Sequence, residues 1–416
     1  MHQRIARALL AQGYVALQGW QTVSGGSPQE RRFIPTQQSI RLDDLGSSEA
    51  AGVERFVCLP YETWRDDALQ TPLGPHLLTS FDHWIVFDTE LQAWRCEGHR
   101  AAARRKAAEH LAIARQQAAN LPSNEYAQGA IRLDSAQPTE TEYCALVDEV
   151  IERILDGELF QANLSRELTA FWPGAGLDEA LWWALRFVEQ SSPVYGAVVP
   201  INERCLVASA SPERFFSLEV TPAGRRVLAE PIKGTRPRSL DRAQDRRLAE
   251  ELRTSEKDRA ENVMIADLVR NDLSRVCTDD SVQVEALCAL HTTTRVHHLV
   301  TKVAGLLRPE VSLLDVLRAQ FPCGSITGAP KLAAMDLIAE LEQRRRGIYC
   351  GTLGYLAADG RADFSVAIRS VQIEIEDQGV RFRYATGGGI TTLSDPTAEW
   401  QETIDKSAGF LQALQA

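Results

Sequence analysis

Val380-Arg381-Phe382-Arg383-Tyr384-Ala385-Thr386-Gly387-Gly388-Gly389-Ile390 runs a strand candidate, residues 380–384, into three consecutive glycines. Just downstream, Asp395 suits an N-cap and Pro396 a first helical residue, so a helix is predicted over 396–415. That helix presents Glu399, Glu402 and Lys406 on one side. Three glycines let the backbone approach a ligand closely and turn N–H groups toward an anion; a tight turn is the plain alternative. The stretch is neither a phosphate-binding loop, which needs Gly-Lys-Ser/Thr, nor a dinucleotide fingerprint, since no six-residue glycine pattern opens a helix.

Outward from this stretch, strand-like and helix-like segments alternate irregularly. Further strand candidates are 194–199, 205–210, 351–356 and 364–373; helix candidates are 241–255, 258–272, 313–319 and 330–344. Thr139 and Glu142 form a Ser/Thr-x-x-Glu capping box after a loop read over 120–137. The helix they open carries Leu146, Val147, Val150, Ile151, Ile154 and Leu155 on one face, and Gly157 is placed to end it. The first 130 residues hold short strand-like segments at 55–60 and 83–87 and an Ala/Arg-rich helical stretch at 99–117, with no chemical motif. The expected organisation is one α+β or α/β catalytic body over 131–416, with a divergent N-terminal region, 1–130, packed with it.

The chain has 416 residues, 44% of them hydrophobic, and a formal net charge of -11. That charge argues against a nucleic-acid binder and against an electrostatic membrane anchor. No apolar run reaches signal-peptide or membrane-span length. Eight scattered cysteines without a CxxC pair read as reduced thiols of a cytoplasmic protein.

Chemistry gathers elsewhere. In Ala229-Glu230-Pro231-Ile232-Lys233-Gly234-Thr235-Arg236-Pro237-Arg238, two prolines and a glycine suggest a rigid loop around Lys233. An amine near Arg236 and Arg238 and partly desolvated becomes a nucleophile; a basic surface loop is the plain alternative. Asp258 and Glu261 share one helix face as Glu399 and Glu402 do, and carboxylates converging from two helices suit Mg²⁺. Ordinary solvated faces would look the same. Ser325-Ile326-Thr327-Gly328-Ala329-Pro330-Lys331 reads as either an anion site or a helix cap. Arg369, on an alternating strand, could clamp a carboxylate. His297-His298 lacks zinc-ligand spacing.

Taken in order, these segments resemble the chorismate-utilising enzymes. The resemblance runs from Phe160-Gln161-Ala162-Asn163-Leu164-Ser165 and Ser211-Pro212-Glu213-Arg214-Phe215 through residues 231–238, 258–272 and 296–300. It continues through 325–331, 345–355 and 365–369 to Gly387–Gly389 and 399–406. It implies a fold of two large antiparallel sheets packed face to face with helices outside, holding Mg²⁺ and chorismate. By the resemblance, Glu261 and Glu402 are direct Mg²⁺ ligands, with Glu399 and Asp258 acting through water. Gly387, Gly388, Gly389 and Lys406 hold the ring carboxylate, and Arg369 and Tyr349 the enolpyruvyl carboxylate. Ser325 and His298 line the ring, His298 in a catalytic part and Thr235 among the substrate-binding residues.

Gln161 stands where water-adding members carry a lysine base, which disfavours isochorismate and salicylate synthesis. Lys233 stands where members that aminate C2 usually have alanine. The Pro-Ile-Lys-Gly-Thr form resembles the branch that aminates C4, aminodeoxychorismate synthase component I, with Lys233 as nucleophile and Glu213 as general acid and base. Anthranilate or 2-amino-2-deoxyisochorismate synthesis, and a non-catalytic chorismate-binding role, are the alternatives. The matched region leaves no room for a glutaminase, roughly one further domain, so a separate glutamine amidotransferase subunit is the expected ammonia source.

Overall fold

The computed structural model describes residues 1–18, 20, 30–36, 38–39, 53–64, 77–121, 131–293 and 296–415. Alternation in the strands builds the frame, because successive side chains point to opposite faces. In strand Tyr14–Gln18, Tyr14 and Ala16 pack under helices while Val15 and Leu17 enter a core between two sheets. Strand Glu54–Leu59 does the same for the second sheet, with Phe56 and Cys58 inward and Val57 and Leu59 outward. The result is two large antiparallel sheets face to face, with helices on their outer sides.

Among the described residues the first sheet has eleven strands. It runs from the edge pair Gly328–Ala329 through Gln161–Pro173, Gly379–Ile390, Ser370–Glu376, Cys205–Ser211 and Tyr195–Asn202 to Tyr14–Gln18, Glu30–Pro35, His83–Asp88 and Ala93–Gly98, with Arg132–Gln137 also paired to Gln161–Pro173. The second has ten, from Ile232–Pro237 through Val296–Leu306, Gly224–Ala229, Arg214–Thr221, Ala362–Ala367 and Gly351–Leu356 to Glu54–Leu59, Leu77–Phe81 and Gln38–Ser39, with Gln283–Thr292 also paired to Val296–Leu306. Strands from the first hundred residues therefore extend both sheets. Ile5, Leu111, Trp183 and Phe410 bring four helices onto the first sheet, and Ile265 and Leu317 bring Glu256–Ser274 and Leu313–Gln320 onto the second.

Most predicted elements form near their expected bounds, including the Thr139 capping box on helix Glu140–Leu155 and the helix Pro396–Gln415. Four expectations change. The loop read over 120–137 contains strand Arg132–Gln137, which lies outside the alternating pattern because its side chains are mostly exposed. Gly387–Gly389 belong to strand Gly379–Ile390 rather than to a turn. The Lys233 segment is edge strand Ile232–Pro237, where prolines are tolerated because one side of the ladder is open.

The strand expected over 364–373 is two strands, Ala362–Ala367 in the second sheet and Ser370–Glu376 in the first, with Arg369 in the crossing at φ +50°. A matching crossing between Cys205–Ser211 and Arg214–Thr221 carries Glu213. The two lie side by side: Ala210 N–H donates to Arg369 O at 3.0 Å and Val366 N–H to Glu213 O at 3.1 Å. All eight cysteines are unpaired thiols. Among the described residues no helix is long and apolar enough to cross a membrane.

Candidate active site

The sheets approach each other at one margin, where strands Gln161–Pro173 and Gly379–Ile390 of the first face Ile232–Pro237 and Val296–Leu306 of the second. Lys233 arrives there on an irregular edge strand whose register shifts between Ile232 and Thr235. Gly234 allows the shift: its φ is +86°, and a Cβ would sit 2.9 Å from the Asp258 side chain. Asn262 Nδ2 donates to Leu299 O at 3.1 Å and to Lys233 O at 3.5 Å, pinning the strand to helix Glu256–Ser274. Lys233 Nζ then lies 3.9 Å from Glu261 Oε2, its side chain 10% exposed. Arg236 and Arg238, expected to crowd this amine, are tied instead to Glu251, Asp258 and Asp245.

The three glycines serve as missing side chains. A Cβ on Gly387 would collide with Leu164 O, and one on Gly389 with Gln161 Nε2 while coming within 3.1 Å of Lys233 Nζ. On Gly388 it would sit 2.9 Å from Glu399 Oε2 and 3.5 Å from Glu402 Oε1. The space between Gln161, Lys233 and the acidic helix thus exists because this strand has no side chains there. Lys406 Nζ closes one end, donating to Gly387 O at 2.8 Å and pairing with Glu402 at 2.6 Å.

The four predicted metal carboxylates line this cleft, each engaged with a cation. Glu399 is buried and accepts from Lys257 Nζ at 2.8 Å and Ser394 Oγ at 2.6 Å, and Asp258 accepts from Arg236 at 3.2 Å. Burial raises the Glu261 carboxyl, against Lys233 and Lys257. At Glu402 burial also pushes upward, but Lys406, Lys257 and Lys233 together outweigh it and hold the carboxyl below its ordinary value. Among the described residues no three of these groups close on one point as a finished metal cage would. Mg²⁺ does not require that, since it takes one or two carboxylates and keeps waters. The hard-oxygen donors along this cleft fit Mg²⁺ on that basis.

Across the cleft Glu213 is buried, Oε1 accepting from Ser325 Oγ at 2.7 Å. Burial raises its carboxyl, with the Ser325 hydroxyl and Lys233 opposing. Ser325, expected to line the ring, spends its proton on this carboxylate. His298 pairs Nδ1 with Thr235 Oγ1 at 2.9 Å, and burial, helped by Arg369, pushes the imidazole down to about 4, so it is neutral at pH 7. Tyr349 is buried with the Asn163 side chain beside its hydroxyl, whereas Arg369 is exposed in its crossing. Lys331, a suggested anion ligand, is instead locked to Asp272 at 2.7 Å and Gln320 O at 2.6 Å.

A family model described as chorismate binding enzyme matches residues 26–412. The chain belongs to this family. It is 40% identical over 314 residues to anthranilate synthase component 1 of Streptomyces coelicolor (strain ATCC BAA-471 / A3(2) / M145), covering 76% of this chain and 58% of the relative. It is 40% identical over 278 residues to aminodeoxychorismate synthase component 1 of Salmonella typhimurium (strain LT2), covering 67% of this chain and 58% of that one. The matches thus span 58% of the length of both relatives. Two solved structures share the fold. Anthranilate synthase component I from Streptococcus pneumoniae TIGR4 has a TM-score of 0.70 at 24% identity, covering 95% of this chain and 90% of its own. The menaquinone-specific isochorismate synthase of Escherichia coli has a TM-score of 0.72 at 20% identity, covering 99% and 91%.

Several residues that shape this cleft were not picked out as site residues from sequence. Gln161 is fully buried with neither amide atom partnered by protein, a state that favours a ligand contact. Lys257 and Asn262 flank Asp258 and Glu261 in the same stretch but were given no role there. Arg346 lies within the matched stretch 345–355 but was given no role there. Its guanidinium donates to Asn163 O at 2.6 Å and Ile326 O at 3.2 Å, pairs with Glu342, and stacks over Tyr61 and Tyr349 at 4.9 and 5.6 Å. With Glu62 Oε1 accepting from its backbone N–H at 2.5 Å, it links the N-terminal region to Tyr349.

Proposed function

We propose that the chain acts as aminodeoxychorismate synthase component I, converting chorismate and ammonia to 4-amino-4-deoxychorismate for 4-aminobenzoate and folate synthesis. The observation that carries this reading is Lys233, whose amine reaches the cleft beside Gly389 and Glu261 opposite the buried carboxyl of Glu213. The step uses Glu213 in its protonated form, the form that burial favours. The Lys233 amine bonds through its lone pair to C2 of the ring, the double bond shifts, and the C4–O bond breaks as Glu213 gives its proton to the departing water. Ammonia then bonds to C4, the double bond shifts back, and the C2–N bond breaks to release Lys233. Glu213 takes the extra proton from the new ammonium, which restores the starting state.

Arg369 and Tyr349 would hold the enolpyruvyl carboxylate, and Lys406 with the Gly387–Gly389 backbone the ring carboxylate. Thr235 and neutral His298 would line the ring, His298 fixed by its Thr235 bond rather than serving as an acid. Mg²⁺ would be held by Glu261 and Glu402, with Glu399 and Asp258 reaching it through water, and would screen the substrate's negative charge. Ammonia would come from a separate glutamine amidotransferase subunit. Eight unpaired thiols favour a reducing, cytoplasmic setting.

Anthranilate synthesis is the second reading, favoured by the similarity to the Streptomyces coelicolor relative of that name. Incubation with chorismate, Mg²⁺ and ammonium, with products identified by mass spectrometry, separates the two. The proposal expects 4-aminobenzoate only after an aminodeoxychorismate lyase is added; anthranilate without the lyase would overturn it.

A further inference from the structure

Glu213 has to change protonation state twice per turnover in a place with no water-like surroundings. Its partners are the Ser325 hydroxyl at 2.7 Å and the backbone N–H of Ile232, and the charged groups facing it are Lys233 from the edge strand and Lys406 from the C-terminal helix. Behind Ser325, on the turn that follows helix Leu313–Gln320, Cys323 Sγ lies 3.2 Å from Ser325 Oγ. All three side chains are buried.

A hydroxyl has one proton and must aim it somewhere. While Glu213 is a carboxylate, Ser325 donates to it and has a lone pair to offer a weak donor. Once Glu213 is protonated, its O–H can donate back only if Ser325 turns its own proton away. The Cys323 sulfur is the group within reach, and a thiol is both a weak donor and a weak acceptor. Burial holds the Cys323 thiol up at about 12, so it stays S–H in both states. Alanine at 323 would leave Ser325 half-satisfied in one state and frustrated in the other, which is costly in a dry site.

We propose that Ser325 and Cys323 form a reversible hydrogen-bond relay that lets the buried Glu213 alternate between carboxylic acid and carboxylate. Ser325 and Cys323 are positioning residues in this role. The inference rests on the reading of Glu213 as the acid and base, and deepens it.

The test is an infrared titration of the unliganded chain, with the Glu213 band identified by its loss in Glu213→Gln. Ser325→Ala, which removes the donor to the carboxylate, should raise the midpoint by about one to two pH units. Cys323→Ala, which removes the group that takes the Ser325 proton while Glu213 is protonated, should move it by a smaller amount in the opposite direction, and Cys323→Ser should restore it, since a hydroxyl can also donate and accept. Amination with ammonium should fall roughly tenfold in kcat in Cys323→Ala, with KM for chorismate unchanged, and recover in Cys323→Ser. Cys323→Val keeps the volume without the acceptor and gives the same readings if alanine leaves a destabilising cavity. A midpoint in Cys323→Ala and Cys323→Val equal to that of the parent chain overturns the relay. The infrared reading needs no substrate, so a moved midpoint in a chain that makes no C4-aminated product would sink the proposed activity and leave the relay standing.

Discussion

The two ends of the paired sheets are closed by opposite kinds of chemistry. At the end built from the N-terminal strands, aromatic rings fill the gap: Trp20 packs on Tyr195 at 5.2 Å and on Phe56 at 6.4 Å, and Phe81 on Tyr355 at 5.8 Å. The one polar group Trp20 brings in is satisfied, its Nε1 donating to Gly196 O at 3.0 Å. At the other end Lys257, Lys406 and Lys233 reach Glu399, Glu402 and Glu261 at 2.8, 2.6 and 3.9 Å. Buried rings stabilise through area and contact. Buried ion pairs lose most of their Coulomb gain to desolvation and are poor stabilisers. A margin lined by ions and by an unpartnered glutamine is therefore better explained by what binds there than by what holds the fold together.

Substitutions at the two ends should separate activity from stability. The largest effect is expected at the charged end: Lys233→Ala should lower C4 amination on the order of 10³-fold or more and remove the covalent C2 adduct, as read by mass spectrometry, with little change in unfolding midpoint. Its counterpart is Trp20→Ala, which should cost about 3–5 kcal/mol in urea denaturation while leaving kcat of the folded fraction unchanged. A Trp20→Ala chain that loses kcat but not stability would erase the distinction between the ends.

Glu54 sharpens the comparison through pH. Burial pushes its carboxyl up to about 7, against Arg32, although His99 Nε2 lies 3.3 Å away. Unfolded, it ionises near pH 4.3. The folded chain keeps a proton the unfolded chain has lost, so this group lowers stability as pH rises from about 4.3 to about 7, and the loss levels off above that. Glu54→Gln should raise stability on the order of 2 kcal/mol at pH 8 and change it little near pH 4, measured by urea unfolding at both. An equal effect at the two pH values would remove burial as the cause. The smallest effect is expected from Glu402→Gln, which should raise the half-saturating Mg²⁺ concentration roughly tenfold; an unchanged Mg²⁺ dependence would take Glu402 out of the metal site.

Much of the cleft was legible in the chain. The acidic pairs on helices Glu256–Ser274 and Pro396–Gln415 follow from three-residue spacing, which places side chains on one helical face whatever surrounds them. The elements that were misread were strands whose shape depends on neighbours. Gly387–Gly389 looked like a turn because glycine is permissive, yet here they are a strand pressed against Leu164 and Gln161. Residues 364–373 looked continuous because alternation carries no mark of which sheet a strand joins. Arg346 stood in a matched stretch, but its role was not legible because its partners, Glu62, Asn163 and Ile326, lie far away along the chain.

By itself the sequence determined the local periodicities, the helix caps, the ordered motifs and the family they belong to, because these depend on residue type at short spacing. Only the tertiary structure decided that Glu213 and Arg369 sit on adjacent crossings between sheets, and that Ser325 gives its proton to Glu213. It also decided that Arg236 and Arg238 answer carboxylates rather than Lys233. Each of these depends on burial and on partners far apart along the chain, and those are settled only when the two sheets close on one another.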